Sequence, residues 1–127
     1  MTRRIVRTDK APAPFQGAPY SQAIAHGGLV FVSGQLGVDP GGNMVDGGIA
    51  EQTEQVMQNV SAILEAAGSS LQDIVKTTIF LADLADFQAM NEVYARHVGD
   101  EPPARATFQV GALPSGALIE IEVIAAG

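Results

Sequence analysis

The 127-residue chain carries 14 acidic and 7 basic residues, for a formal net charge of −7, and it contains no cysteine. Its length is typical of one domain, so we expect a single domain over residues 1–127. The absence of cysteine excludes disulfides, thiolate metal ligands and a cysteine nucleophile. The negative charge, with basic residues that are scattered rather than clustered, disfavours nucleic acid as a partner.

Membrane association is also disfavoured by the sequence. No apolar run approaches the roughly 20 residues that a transmembrane helix needs. The N-terminal segment contains three arginines and lacks the apolar stretch of a signal peptide. We therefore expect a soluble, cytosolic protein.

The first regular elements in chain order form a predicted β-hairpin. Residues 11–20 are rich in proline and lack periodicity, so we expect them to be extended. Two short β-type runs follow, at 21–25 and 29–33. They are separated by a turn that contains His26, Gly27 and Gly28. Glycine supplies the positive φ that a tight hairpin turn requires.

Two helices are predicted further along. Between residues 49 and 67, apolar residues recur at three- and four-residue steps, and Gly68 follows where a left-handed residue commonly ends a helix. Asp83 can cap a second helix that ends before Gly99. Its apolar stripe consists of Leu84, Phe87, Met90, Val93, Tyr94 and Val98.

Three more strands are predicted at 75–81, 104–110 and 118–125. In the first, one face is expected to hold Val75, Thr77, Ile79 and Leu81. A turn joins the last two strands, and it contains Pro114, Ser115 and Gly116. The order of elements predicts an α+β fold in which two helices cover one face of a sheet.

The second face of this sheet is also apolar. In the 29–33 strand, Leu29 and Phe31 oppose Val30 and Val32, so apolar side chains point to both sides. An uncovered apolar face of several hundred Å² is uncommon on a monomer and usually marks an interface. We therefore expect an oligomer that hides this face.

Arg105 is the first candidate for chemistry. Strand alternation places Arg105, Thr107 and Gln109 on one face of the 104–110 strand, opposite its apolar residues. The planar guanidinium group could bind a carboxylate with two parallel hydrogen bonds. The alternative from the residues alone is a surface arginine or a structural ion pair.

Glu120 is the second candidate. A carboxylate on the 118–125 strand could act as a general base or position a water molecule. Burial would raise its pKa, whereas a neighbouring arginine would lower it. The alternative is that Glu120 and Glu122 both line a solvated face of an antiparallel strand.

The remaining motifs exclude several chemistries. The segment SGQLG after the 29–33 strand matches neither a phosphate-binding loop nor a dinucleotide fingerprint, but its small residues allow a ligand or another backbone to come close. Ser33 has no histidine or lysine nearby in sequence to activate it as a nucleophile. His26 and His97 lack metal-ligand spacing, so no metal site is expected.

Taken together, Arg105 and Glu120 fall in a segment, PARATFQVGALPSGALIEIEVIA, that resembles the signature of the Rid (YjgF) family. The resemblance extends over nearly the whole chain from about residue 11. It includes PYSQAI (19–24), VFVSGQLGVDP (30–40), ILEAAGSSLQDIVKTTIFLADLADF (63–87) and MNEVYA (90–95). It implies a chorismate-mutase-like fold and a homotrimer with ligand sites in the clefts between subunits. It also implies cofactor-free hydrolysis of reactive enamines and imines to 2-keto acids and ammonia.

The resemblance also assigns roles by position. Arg105 would hold the substrate carboxylate, and Glu120 would orient or activate the attacking water. The other implied substrate-binding positions are Tyr20, Ser33, Gly34, Asn91 and Thr107, with Gly34 and Thr107 acting through their backbones. Two positions depart from the family pattern: Thr107 replaces a cysteine, and Ala18 replaces a glycine before Pro-Tyr. These changes bear on pocket size and substrate preference. The alternative function is a non-catalytic trimer that binds small carboxylates or regulates a partner.

Overall fold

The computed structural model describes residues 2–127, which contain six β-strands and two α-helices. In chain order these are β1 (Arg4–Val6), β2 (Ala23–His26), β3 (Leu29–Leu36), α1 (Ile49–Ala66), β4 (Ile74–Leu81), α2 (Phe87–Val98), β5 (Ala104–Gln109) and β6 (Ile119–Ala126). Short 3₁₀ turns precede β4 and α2 and lie in the segments before β2 and β6.

All six strands form one mixed sheet in the order β1-β2-β3-β6-β4-β5. Neighbouring strands are antiparallel except β4 and β5, which are parallel. Helix α1 packs on the central strands β3 and β6 and against α2, and both helices lie on the same side of the sheet. The predicted α+β architecture, with two helices on one face, is confirmed.

The core lies between α1 and the central strands. The apolar stripe of α1 is fully buried, as the periodicity predicted, and it consists of Val56, Met57, Val60, Ile63 and Leu64. Burying each such side chain contributes about 1.5–3 kcal/mol. At the start of the helix the Glu51 carboxylate accepts a hydrogen bond from the Gly48 N–H (2.8 Å), and the helix is followed by Gly68 at φ +82°.

The N-terminal half differs from the prediction in two places. Strand β1 was not predicted: it is an edge strand that pairs antiparallel with β2. His26 was placed in the hairpin turn, but it pairs with Leu29 and ends β2. The turn itself is Gly27-Gly28, with φ angles of 61° and 78°. Two consecutive positive φ angles match the twist of the flanking strands.

The C-terminal half differs from the prediction in two places. Helix α2 begins at Phe87 rather than Leu84, because Leu84–Asp86 form a 3₁₀ turn in which Asp83 Oδ1 accepts the Ala85 N–H at 2.9 Å. Leu84 is therefore exposed. Val75 is exposed too, since the register of β4 with β6 shifts between Ile74 and Lys76. Strands β5 and β6 are not neighbours, because β4 lies between them.

The sheet face opposite the helices is uncovered and carries apolar side chains, as the two-faced pattern predicted, although Glu120 and Glu122 also lie on it. One cross-strand row runs over four strands and consists of Ile5, Ile24, Phe31 and Ile124. Near the other edge, the rings of Phe80 and Phe108 stack at 6.5 Å. We call this surface the open face. Phe31 is 41% exposed and Phe108 is 52% exposed.

Candidate functional site

Four of the predicted site residues line one cavity on the open face. The cavity measures about 840 Å³ and lies where β3 and β6 meet the turns that precede β2 and β6. The four residues are Tyr20, Ser33, Gly34 and Glu120, and we call this cavity the Glu120 pocket. Prolines and apolar side chains of residues 12–15, 36–40 and 114 form much of its remaining wall.

A β-bulge shapes the floor of the Glu120 pocket. Val32 pairs with Val123 and Gln35 pairs with Ile121, so two residues of β3, Ser33 and Gly34, lie opposite one residue of β6. An extra residue of this kind bends the strand and redirects its side chains. Bulges are frequent next to functional sites for that reason.

Gly34 allows the Glu120 carboxylate to lie against the backbone of β3. A Cβ atom at residue 34 would overlap the carboxylate oxygen and lie 2.8 Å from its carbon. The backbone of Gly34 is not in the left-handed region, so the glycine is required by this contact and not by its φ angle. The small residues of SGQLG thus admit a close approach, here by the side chain of Glu120.

The two hydroxyl groups of the pocket have different hydrogen-bonding capacities. Tyr20 Oη accepts the Phe15 N–H at 2.5 Å, which leaves the hydroxyl hydrogen of Tyr20 free to be donated. Ser33 Oγ donates to the Ser21 carbonyl at 2.6 Å, which leaves its lone pairs free to accept. The pocket therefore offers a bound molecule one donor from Tyr20 and one acceptor from Ser33.

Glu120 is half-buried and has no ion-pair partner within residues 2–127. Burial raises the pKa of its carboxyl group above the ordinary value, and the negative charge of Glu122 raises it further. A carboxylate whose pKa is raised is a better proton acceptor for a water molecule. This geometry suits a general base.

Arg105 lies on the other side of the sheet. It pairs in register with Thr77 of β4, whose side chain is buried beneath α2. The guanidinium carbon is 5.5 Å from the ring centroid of Phe87 and 5.2 Å from that of Tyr94. No carboxylate of residues 2–127 forms a salt bridge with it, so its hydrogen-bond donors are free for a ligand.

Asn91 and Thr107 accompany Arg105. Asn91 is one helical turn from Phe87 on α2, and Thr107 lies two residues along β5 on the same face as Arg105. Within residues 2–127, Asn91 Oδ1 and Thr107 Oγ1 are buried without a hydrogen-bond partner. An unpaired buried polar atom costs about 1–3 kcal/mol, so each is a position where a ligand or another chain can supply the missing partner. We call Phe87, Asn91, Tyr94, Arg105 and Thr107 the Arg105 cluster.

The structure does not bring the seven predicted site residues together in one chain. Glu120 pairs with Phe80 on the open face, whereas Arg105 pairs with Thr77 on the helix face. The Glu120 pocket and the Arg105 cluster are therefore two half-sites on opposite faces of one sheet. A site that needs both requires a second chain.

Sequence reasoning missed three residues at these half-sites. Phe87 and Tyr94 were assigned to the apolar stripe of α2, and nothing in that periodicity shows which members face an arginine. Gln22 is 4% exposed; its amide donates to carbonyls of Thr8 and Pro12 at 3.0 and 2.9 Å and accepts the Thr8 N–H at 2.7 Å. These hydrogen bonds hold residues 8–12 next to β2, and this segment leads into the wall of the Glu120 pocket. The only sequence signal for Gln22 was its position within the family-like segment PYSQAI.

Comparison with known proteins places this chain in a family. The sequence profile described as Endoribonuclease L-PSP matches residues 8–127. The chain belongs to this family. A RutC family protein of Pyrococcus abyssi is 50% identical over 126 residues, which cover 98% of both chains. The human 2-iminobutanoate/2-iminopropanoate deaminase is 45% identical over 126 residues, covering 98% of this chain and 90% of the human one.

Solved structures of relatives share the fold. RidA from an Antarctic Psychrobacter species is 47% identical and superimposes with a TM-score of 0.92, covering 98% of this chain and 99% of its own. Escherichia coli TdcF, solved with bound serine, is 38% identical with a TM-score of 0.90, covering 98% of each chain. The Rid resemblance and its fold are thereby confirmed. In the described part of the chain, neither helix has the length and apolar character to cross a membrane.

Proposed function

We propose that this protein hydrolyses 2-imino and 2-enamino acids of small side chain to 2-keto acids and ammonia, without a cofactor. The observation that carries the proposal is the free, half-buried Glu120 carboxylate with a raised pKa beside two hydroxyls of opposite hydrogen-bonding capacity. The deaminase name of a relative that is 45% identical along nearly the whole chain supports it.

The complete site forms, in this proposal, between copies of the chain in a homotrimer of single-domain subunits. The Arg105 cluster of one subunit meets the Glu120 pocket of its neighbour. Two features support this arrangement: Arg105 and Glu120 are on opposite faces of the sheet, and the open face is apolar. Burial of that face would supply the energy of association.

The chemistry follows from the free groups. Arg105 binds the substrate carboxylate through two hydrogen bonds, with the backbones of Gly34 and Thr107 helping to fix the substrate, while Ser33 accepts a hydrogen from the substrate nitrogen. An enamine first tautomerises to the imine, whose C2 is electrophilic. Glu120 takes a proton from a water molecule as the water oxygen bonds to C2, and the imine π electrons move to the nitrogen. The nitrogen receives the proton held by Glu120 and then the proton of the new hydroxyl group. The C2–N bond breaks with its electron pair leaving on ammonia, and the oxygen forms the keto group.

Little further machinery is needed for this reaction. Binding the carboxylate and aligning a water molecule convert a bimolecular encounter into a reaction within one complex, which can supply several kcal/mol. Tyr20 can donate its free hydroxyl hydrogen to the oxygen bonded to C2 as that oxygen loses its proton. No covalent intermediate is required, in keeping with a chain that has no cysteine.

The direct test uses a transient substrate. A threonine dehydratase generates 2-aminocrotonate, and release of 2-oxobutanoate is followed with wild type, Arg105→Ala and Glu120→Gln. We expect acceleration by wild type and a loss of at least 100-fold in each variant, since each removes one of the two groups that act on the substrate. No acceleration by wild type would refute the proposed deaminase activity. Full activity in Arg105→Ala would refute the role of Arg105 in the site, although the deaminase activity itself would stand.

One alternative is favoured by a specific observation. The TdcF structure contains serine, a small amino acid with a carboxylate, so a trimer that binds such ligands without catalysis is the second candidate. Tight binding of serine or 2-oxobutanoate without acceleration of hydrolysis would select it. We place either function in the cytosol. Nucleic acid cleavage, which the family description names, is disfavoured here by the net charge of −7.

A further inference from the structure

Tyr94 connects the Arg105 cluster to the rigid core. It is 4% exposed, its hydroxyl donates to Thr77 Oγ1 at 2.9 Å, and the guanidinium carbon of Arg105 lies 5.2 Å from its ring centroid. The three side chains come from three elements, α2, β4 and β5. Thr77 is fully buried, so the ring of Tyr94 is held at its far end by an immobile partner.

The sheet register also places Thr77 directly beside Arg105. Thr77 and Arg105 are direct partners in the parallel β4–β5 pair. The hydroxyl that fixes the Tyr94 ring therefore belongs to the residue beside Arg105 in the sheet. Phe87 flanks the guanidinium group as well, at 5.5 Å, but it is 37% exposed and has no such tether. Tyr94 is thus the rigid one of the two rings.

An aromatic ring holds an arginine differently from a carboxylate. The attraction is between the cation and the negative face of the ring, and it uses the flat face of the guanidinium group. The N–H donors at its edge are not consumed. A carboxylate partner would instead occupy the donors that a ligand needs. Burial also raises the pKa of Tyr94, so its hydroxyl stays protonated and continues to donate to Thr77.

The geometry points to Tyr94, locked by Thr77, as the positioning residue that presents the free donors of Arg105 to a carboxylate ligand. This inference rests on the proposed function, in which Arg105 binds the substrate carboxylate. It assigns a task to two residues that the proposed chemistry does not use. It also gives an arginine with no ion-pair partner in the described chain a defined contact with the core.

The first experiment measures carboxylate binding. Titration calorimetry with 2-oxobutanoate is done on wild type, Tyr94→Leu, Tyr94→Phe and Thr77→Val. We expect the Kd to rise on the order of tenfold when the ring is removed, and about threefold when only the hydrogen bond is lost. Because Tyr94→Phe and Thr77→Val remove the same bond, their double variant should bind no more weakly than either single variant.

The second experiment reports on Arg105 itself and does not depend on activity. In wild type, the Arg105 Nε–H resonance should be shifted upfield by the ring beneath it, and Tyr94→Leu should move it toward the position of a free arginine. Val93→Ala is the matched control, since it truncates another buried residue of α2, one that has no aromatic ring to offer to the guanidinium group. It should lower stability and change neither the resonance nor the Kd.

The outcomes separate the two hypotheses. A wild type that neither binds 2-oxobutanoate nor hydrolyses the imine would refute the proposed function. An Arg105 resonance and a Kd that are both unchanged in Tyr94→Leu would overturn the positioning role, even if wild type is an active deaminase. If Tyr94→Leu fails to fold, Tyr94→Phe and Thr77→Val decide: a Kd equal to that of wild type in both would overturn the role of the Thr77 lock.

Discussion

Complementation between inactive variants tests the two-half-site arrangement directly. Arg105 and Glu120 lie on opposite faces of the sheet, so each complete site would take Arg105 from one subunit and Glu120 from the next. In a cyclic trimer that mixes Arg105→Ala with Glu120→Gln subunits, one of the three interfaces combines an intact Arg105 with an intact Glu120. Such heterotrimers should recover about one third of wild-type activity, by counting interfaces of the closed ring.

The assay uses two affinity tags. The two variants are co-expressed with different tags, heterotrimers are isolated by two successive purifications, and imine hydrolysis is compared with each homotrimer. Two differently tagged copies of Arg105→Ala serve as the control, and they should remain inactive. Activity of the heterotrimer no greater than that of the better homotrimer would refute a site shared between subunits, because every chain would then carry a damaged site of its own.

Further predictions rest on the same geometry. Gly34→Ala should displace the Glu120 carboxylate and lower kcat roughly 100-fold, whereas Gly111→Ala, where an added Cβ meets nothing within 4 Å, should match wild type; equal kcat values in both would contradict the close contact. The kcat/KM of wild type should fall as pH drops through the raised pKa of Glu120, because the base must be deprotonated, and Glu120→Gln should lack this dependence. The free energy of unfolding should change with pH in the opposite direction. Because the folded state binds the Glu120 proton more tightly than the unfolded state, the contribution of Glu120 to stability is present at low pH and is lost as pH rises through its folded pKa. Chemical denaturation at several pH values would detect this loss. Gln22→Met should lower stability by roughly 1–3 kcal/mol and should also raise KM, since partly buried carbonyls lose their donor and the pocket wall is no longer held; an unchanged urea midpoint would count against it. Phe31→Asp on the open face should give a monomer by sedimentation, and a trimer that persists would show that this face is not the interface.

Much of the fold could be predicted from the sequence because it depends on local pattern. Helix α1 runs for five turns, and its apolar residues recur on one helix face, so the element and its end at Gly68 were predicted nearly to the residue. Strand β1 was not, because only Val6 of its three residues is buried. Its structure depends on pairing with β2, which lies some 20 residues away in sequence, and no local pattern shows that pairing.

The resemblance named the residues of the candidate site, but local pattern could not show how they are distributed over the two faces of the sheet. Alternation within β5 placed Arg105 and Thr107 on one face, and alternation within β6 placed Glu120 and Glu122 together. Whether the two faces coincide depends on the registers of both strands with β4, and on β4 lying between them. These are non-local facts. A one-residue change in either register would put Arg105 and Glu120 on the same face.

The separation of these two residues has a chemical consequence. If Arg105 and Glu120 faced each other within one chain, their attraction would lower the pKa of Glu120 and would occupy the guanidinium donors. Opposite faces prevent this pairing within one chain, so in the single chain burial keeps the Glu120 pKa raised and Arg105 is held only by aromatic rings. In the proposed trimer, the substrate carboxylate would take the donors of Arg105 and neutralise its charge where the half-sites meet. Glu120 then keeps the basicity that removal of a proton from water requires.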